Sequence, residues 1–180
     1  MAGSLVQVDH FEISSAVSTV TLGGGSSGSS SYNFAINTDD VYMVAFNNWK
    51  PVTDTVVQKF RVTKSGTAQS DSEYDSAYKE LKSGGSYNNG YLTNQQAFQF
   101  EFTGSDTGET GQGIIYLYNF NSSSQYSYVS FETVTVNHVA WASGVAGGGA
   151  HSVASASDGL NFHFHSGNIA SGTFTMYKVI

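Results

Sequence analysis

Hydrophobicity in this chain repeats every second residue, and that period admits little besides β-structure. Leu5 to Ile13 alternates in this way, and Val17 to Leu22 does so again. Asp40-Val-Tyr-Met-Val-Ala-Phe46 is a more continuous apolar run, as expected of a central strand. Val56 to Thr63 alternates, with Val57, Phe60 and Val62 as candidate core positions. Further runs lie at Ala97–Thr103, Gly113–Phe120, Tyr126–Val136, Leu160–His165 and Thr173–Val179. β-branched and aromatic residues fill them, which suits a pleated, half-buried surface.

Turn chemistry punctuates the runs. Gly23 to Ser31 is low-complexity Gly/Ser and reads as a flexible surface loop. Asn89-Gly90 is a type I′ hairpin signal, since both central turn positions need positive φ. Gly144 to Gly149 reads as a second Gly-rich loop. One stretch carries a different period. Ser70-Asp-Ser-Glu73 has capping-box spacing, and Tyr74, Tyr78 and Leu81 follow at helical intervals. This predicts one short helix near residues 71–82. Nine strands with hairpin connections predict an all-β fold, an antiparallel β-sandwich of jelly-roll-like type. Residues 1–180 suffice for a single β-sandwich domain.

The surface chemistry is set by scarcity of charge. Only 12% of residues are Asp, Glu, Lys or Arg, against about 25% in ordinary domains. Solubility therefore rests on hydroxyls, amides and glycine, as on an extracellular or particle-exposed surface. Net charge is −7, with no basic cluster. Binding to a phosphate backbone or an anionic membrane has no electrostatic basis. Cysteine is absent, which removes disulfides and thiolate metal sites. The N-terminus lacks a signal-peptide pattern and no run is long enough to span a bilayer, so synthesis in a cytoplasm is expected.

Gly24-Gly-Ser-Ser-Gly28 matches the nucleophile-elbow pattern, but no buried strand-to-helix context surrounds it. Its overlap with a dinucleotide fingerprint lacks a βαβ unit. His163 and His165 share a strand face and are the metal candidates, with His151, His138 or a carboxylate to complete a site. A polar outer face or subunit interface explains them better, because no third ligand stands in register. Asp39-Asp40 reads as a turn. Asp106 and Glu109 lie in a loop without calcium-loop spacing. Tyr87, Tyr91, Tyr116, Tyr118, Tyr126 and Tyr128 could stack on sugars, although alternation predicts half of them in the core. Trp49 and Trp141 are the further glycan-binding candidates. No catalytic residue and no cofactor is expected.

Gly159 to Val179, with Ser166-Gly-Asn-Ile-Ala-Ser-Gly172 as its connection, resembles the terminal strand pair of small virion structural proteins of tailed bacteriophages, marine and cyanobacterial types among them. Asp40 to Asn48 with Lys50-Pro-Val-Thr-Asp54 is similar to a second segment of that family. Phe60 to Ala68 and the Tyr74–Tyr78 stretch resemble a third. Met176-Tyr177-Lys178 stands where the family usually has Leu-Tyr-Gly. The resemblance implies a non-enzymatic virion component, made in a host cytoplasm. It would be a capsid-decoration or tail-associated protein, partnered with itself, a homotrimer favoured, and with other virion proteins. Residues 1–10 and the C-terminal strand are the expected contact elements. The alternative is a tail-fibre module that binds host surface glycan. A glycan depolymerase would need two carboxylates at catalytic separation.

Overall fold

The computed structural model describes residues 3–180. Among them the strands are, in chain order, β1 (Leu5–Glu12), β2 (Val20–Gly23), β3 (Tyr42–Pro51), β4 (Val56–Lys64), β5 (Thr67–Ala68), β6 (Tyr74–Lys82), β7 (Tyr87–Gln95), β8 (Phe98–Thr103), β9 (Gly111–Tyr118), β10 (Ser127–Val136), β11 (Ala142–His151), β12 (Gly159–Phe164) and β13 (Ile169–Val179). Eight form one antiparallel sheet in the order β1-β13-β3-β9-β10-β11-β6-β7. The second sheet runs β2-β12-β4, and β5 and β8 share the free side of β4. The two sheets pack as an antiparallel sandwich. Its thirteen strands exceed the eight of a plain jelly roll.

The inward-facing residues explain why the sheets meet. Val44, Phe46, Ile115, Leu117, Phe131 and Phe174 from the large sheet join Leu22, Phe60, Val62, Leu160 and Phe162 from the small one in one buried cluster. Trp49 sits at its centre, edge-on to Phe46 at 5.3 Å and to Phe162 and Phe174 at 5.6 Å between ring centroids. Such geometry sets the positive ring edge against the negative ring face. Val56, not Val57, fills the core position at the start of β4.

Three expectations fail in one contiguous part of the large sheet. Residues 71–82 are not a helix: Tyr74–Lys82 is β6, paired with β11 on one side and β7 on the other. The interval of four between Tyr74 and Tyr78 fits both periods, since four is two strand repeats. Leu81 separates them. A helix would bury it beside Tyr78, whereas it is on the exposed strand face, 49% accessible. The Gly144–Gly149 stretch lies inside β11, the strand between β10 and β6. Asn89-Gly90 lies inside β7, and the turn falls at residues 83–86, closed by Gly85 N–H donating to Lys82 O at 3.0 Å. Gly90 is opposite Tyr78 for a steric reason, because a Cβ there would stand 2.2 Å from the phenol ring.

Two further corrections concern loops and ends. The Gly23–Ser31 segment is packed rather than loose. Ser29 N–H donates to Thr21 O, Gly24 N–H to Asp158 O, and the buried Asp9 carboxylate accepts from Gly23 N–H at 2.7 Å and from the Ser30 hydroxyl. The C-terminal strand β13 has no free edge, since β1 and β3 flank it. The free edges of the large sheet are β1 and β7. Met1 of the expected contact segment, and Ala2, lie outside the described residues.

Candidate functional site

The outer face of the large sheet is built by pairing register. Tyr177, Met43, Tyr116, Ser130, Gly148, Ala77 and Tyr91 stand in one row across seven strands, from β13 to β7. The next row toward one end holds Tyr118, Tyr128, Ala150 and Asp75. The next toward the other holds Ile114, Glu132, Ala146, Lys79 and Asn89. On β11 every outward residue is alanine or glycine, namely Ala142, Gly144, Ala146, Gly148 and Ala150. The missing side chains leave a trough along β11. Strand spacing of about 4.8 Å places the β9 and β7 backbones about 19 Å apart, so Tyr116 and Tyr91 bound a floor of small residues.

Two hollows lie along the trough. One of about 600 Å³ is lined by Tyr91, Tyr118, Tyr128 and Asp75 over Gly148 and Ala150. The other, about 430 Å³, is lined by Ile114, Tyr116, Tyr118 and Glu132 beside Ala146. The Tyr118 hydroxyl lies 3.2 Å from the Ser130 hydroxyl, which leans the ring along the floor. Tyr91 is 79% accessible. The expectation that half of the six tyrosines face the core is overturned. None of Tyr87, Tyr91, Tyr116, Tyr118, Tyr126 and Tyr128 is in the core, because the inward positions of β9 and β10 go to Ile115, Leu117, Val129 and Phe131.

The two tryptophans part company. Trp49 is fully buried and offers no platform. Trp141 is exposed, but its indole covers Gly84 of the β6–β7 turn, where a Cβ would come within 2.8 Å. The histidines are also separated. His163 is half-buried, and burial followed by the cations Arg61 and Lys59 pushes its pKa down to about 4. Those cations oppose a metal ion at the same place. His165 is exposed, and its Nδ1 accepts the Val57 N–H at 3.0 Å. His151 is fully buried against the Tyr74 ring, and burial brings its pKa down to about 4. Its 3.3 Å approach to Glu73 is not aligned as a hydrogen bond, and the ring is neutral at pH 7. Among the described residues no three His, Asp or Glu gather as metal ligands do. Glu109 spends one carboxylate oxygen on the Asp106 N–H, and Asp40 pairs with Lys178 at 2.6 Å.

No family model, curated protein or solved structure matches the chain.

One carboxylate pair was not foreseen. Glu80 and Lys82 on β6 point inward toward Glu101 on β8. Burial, then the Glu80 carboxyl, pushes Glu101 up to about 7. Burial also works against Glu80, but hydrogen bonds from Glu101, Asn88, Lys82 and Ser143 outweigh it and bring it to about 2. The sequence signal was present, because Glu80 and Lys82 share strand parity with the buried Tyr74. It was hidden by the helical reading. The trough was hidden in the same way, since alternate small residues in β11 look like a loop.

Proposed function

We propose that the chain is a non-enzymatic structural component of a tailed-phage particle, assembled with further copies of itself through its N-terminal strand. The observation that carries this reading is the free edge of β1. Its unpaired backbone groups are accompanied by Leu5, 50% accessible, and Val6, 44% accessible. A free edge is a template for pairing, and most proteins blunt it. The opposite edge follows that rule. β7 is rich in asparagine, and the inward-pointing Glu80 and Lys82 lie next to it. β1 carries a register shift between Gln7 and Asp9, but its first residues are apolar and uncovered. Low surface charge supports the same reading, since charge is depleted at interface cores.

Carboxylate spacing on the trough supports the non-enzymatic part, and the closer Glu80–Glu101 pair is largely buried with Lys82 between the sheets. Asp75 and Glu132 flank the trough two strands apart and four residues along, which separates their backbones by about 17 Å. However the side chains turn, the carboxyls stay at least about 10 Å apart, beyond the roughly 6.5–9.5 Å of an inverting glycosidase. The resemblance to virion proteins supplies the particle and favours a trimer.

Light scattering on the purified protein tests the assembly. The expected result is a closed oligomer that Leu5→Lys with Val6→Lys converts to monomer at unchanged far-UV circular dichroism. A monomeric unsubstituted protein at tens of micromolar overturns the self-assembly. Imaging of intact particles tests the location, and particles without density for this sandwich overturn the virion role.

A further inference from the structure

We infer that the trough along β11 binds a neutral, linear saccharide. This does not depend on the β1 interface, which lies at the far edge of the same sheet.

Shape comes first. The floor is Ser130, Gly148 and Ala77, and the outward residues of β11 from Gly144 to Ala150 extend it for about 20 Å. A groove of this form admits a chain one unit wide. A docking strand is excluded there, because β10 and β6 already satisfy the hydrogen-bonding groups of β11 on both sides. An amphipathic helix, about 10–12 Å across, needs an aliphatic stripe to receive its apolar face. The trough offers tyrosines instead. Tyr91, Tyr116, Tyr118 and Tyr128 line it, and tyrosine offers a ring to C–H groups and a hydroxyl to polar ones at little cost in side-chain entropy.

Charge selects among saccharides. Among the described residues the charged side chains on the trough are Asp75, Glu132 and Lys79, two acids to one base, on a chain of net charge −7. An acidic polysaccharide or nucleic acid meets repulsion, whereas a neutral sugar hydroxyl can donate to either carboxylate. Asp75 is oriented for this, since its Oδ1 is held by the Asn94 N–H at 2.8 Å. A shallow, open hollow of about 600 Å³ lies beside it.

The test is isothermal titration of the whole protein with linear hexasaccharides of β-1,4-glucose, β-1,3-glucose, α-1,4-glucose and β-1,4-N-acetylglucosamine. Alginate and a linear dodecapeptide library serve as the charged and peptide comparisons. At least one neutral hexasaccharide is expected to bind. Tyr128→Ala and Tyr91→Ala should each weaken it about tenfold, the value of one stacked ring with its buried area. Ala146→Trp fills the floor from an existing exposed Cβ and should abolish binding, while Tyr32→Ala near β1 leaves it unchanged. Circular dichroism confirms the fold of each variant. The inference is overturned if no neutral hexasaccharide binds, if binding survives Tyr128→Ala and Ala146→Trp together, or if alginate or peptides bind more tightly than every neutral sugar.

Discussion

Glu101 gives the sharpest quantitative handle on this fold, through the substitution Glu101→Gln. Its side chain is 14% accessible, its carboxyl faces Glu80 and Lys82, and burial followed by the Glu80 carboxyl pushes it up to about 7 from an ordinary value of 4.5. A raised carboxyl pKa stabilises the fold below 4.5, and that contribution is lost as pH rises to 7. Between those values the folded chain holds one proton that the unfolded chain has released. At about 1.4 kcal/mol per unit, the loss over the interval is about 3 kcal/mol. Glutamine keeps the shape and can donate to Glu80 as the protonated acid does, yet it never charges. Glu101→Gln should therefore match the unsubstituted protein at pH 4 and exceed its stability by about 3 kcal/mol at pH 8. For a chain of this length that is about 6–12 °C in melting temperature. The pH profile of the unsubstituted protein alone will not display this. His151 and His163, lowered from 6.5 to about 4, bind protons on unfolding over nearly the same window and tilt its stability the other way. The informative quantity is the difference between variant and parent in urea unfolding free energy, measured from pH 4 to 8. A difference that is flat across that range, or negative at pH 8, refutes the buried-acid argument.

Two pairs of outcomes follow from packing. Gly147→Ala should destabilise by at least about 2 kcal/mol in urea unfolding, because its Cβ would stand 2.4 Å from the Ala77 carbonyl oxygen. Gly144→Ala, three residues away, meets nothing closer than 3.9 Å and should be neutral or stabilise by up to about 1 kcal/mol. Trp49→Ala should cost about 3–5 kcal/mol in the same assay, since the residue fills the centre of the aromatic cluster. Trp141→Ala should cost less than about 1 kcal/mol and shift only the red, solvent-exposed part of the emission.

Legibility in the sequence followed the distribution of the core. Strands with apolar inward faces, such as Val56–Lys64 and Gly159–Phe164, show period two because the opposite sheet covers them. The illegible strands β11, β6 and β7 adjoin one another at one side of the large sheet. There β8 is the small-sheet strand that reaches across to β10, β11 and β6. Toward that edge the cover narrows to this one strand, inward positions no longer have to be apolar, and Ser76, Glu80, Lys82 and Asn88 take them. The same freedom acts on the outer face, where β11 can dispense with side chains because neighbouring strands hold its backbone on both sides. Period-two patterning reports burial rather than strand pairing. A sheet that extends past its partner layer therefore continues in residues that read as loop or helix. The trough lies on the outer face of that extension, and the Glu80–Glu101 pair lies at its boundary, where β6 meets β8. Function was hard to foresee here for the physical reason that made the strands hard to foresee: neither depends on an apolar pattern.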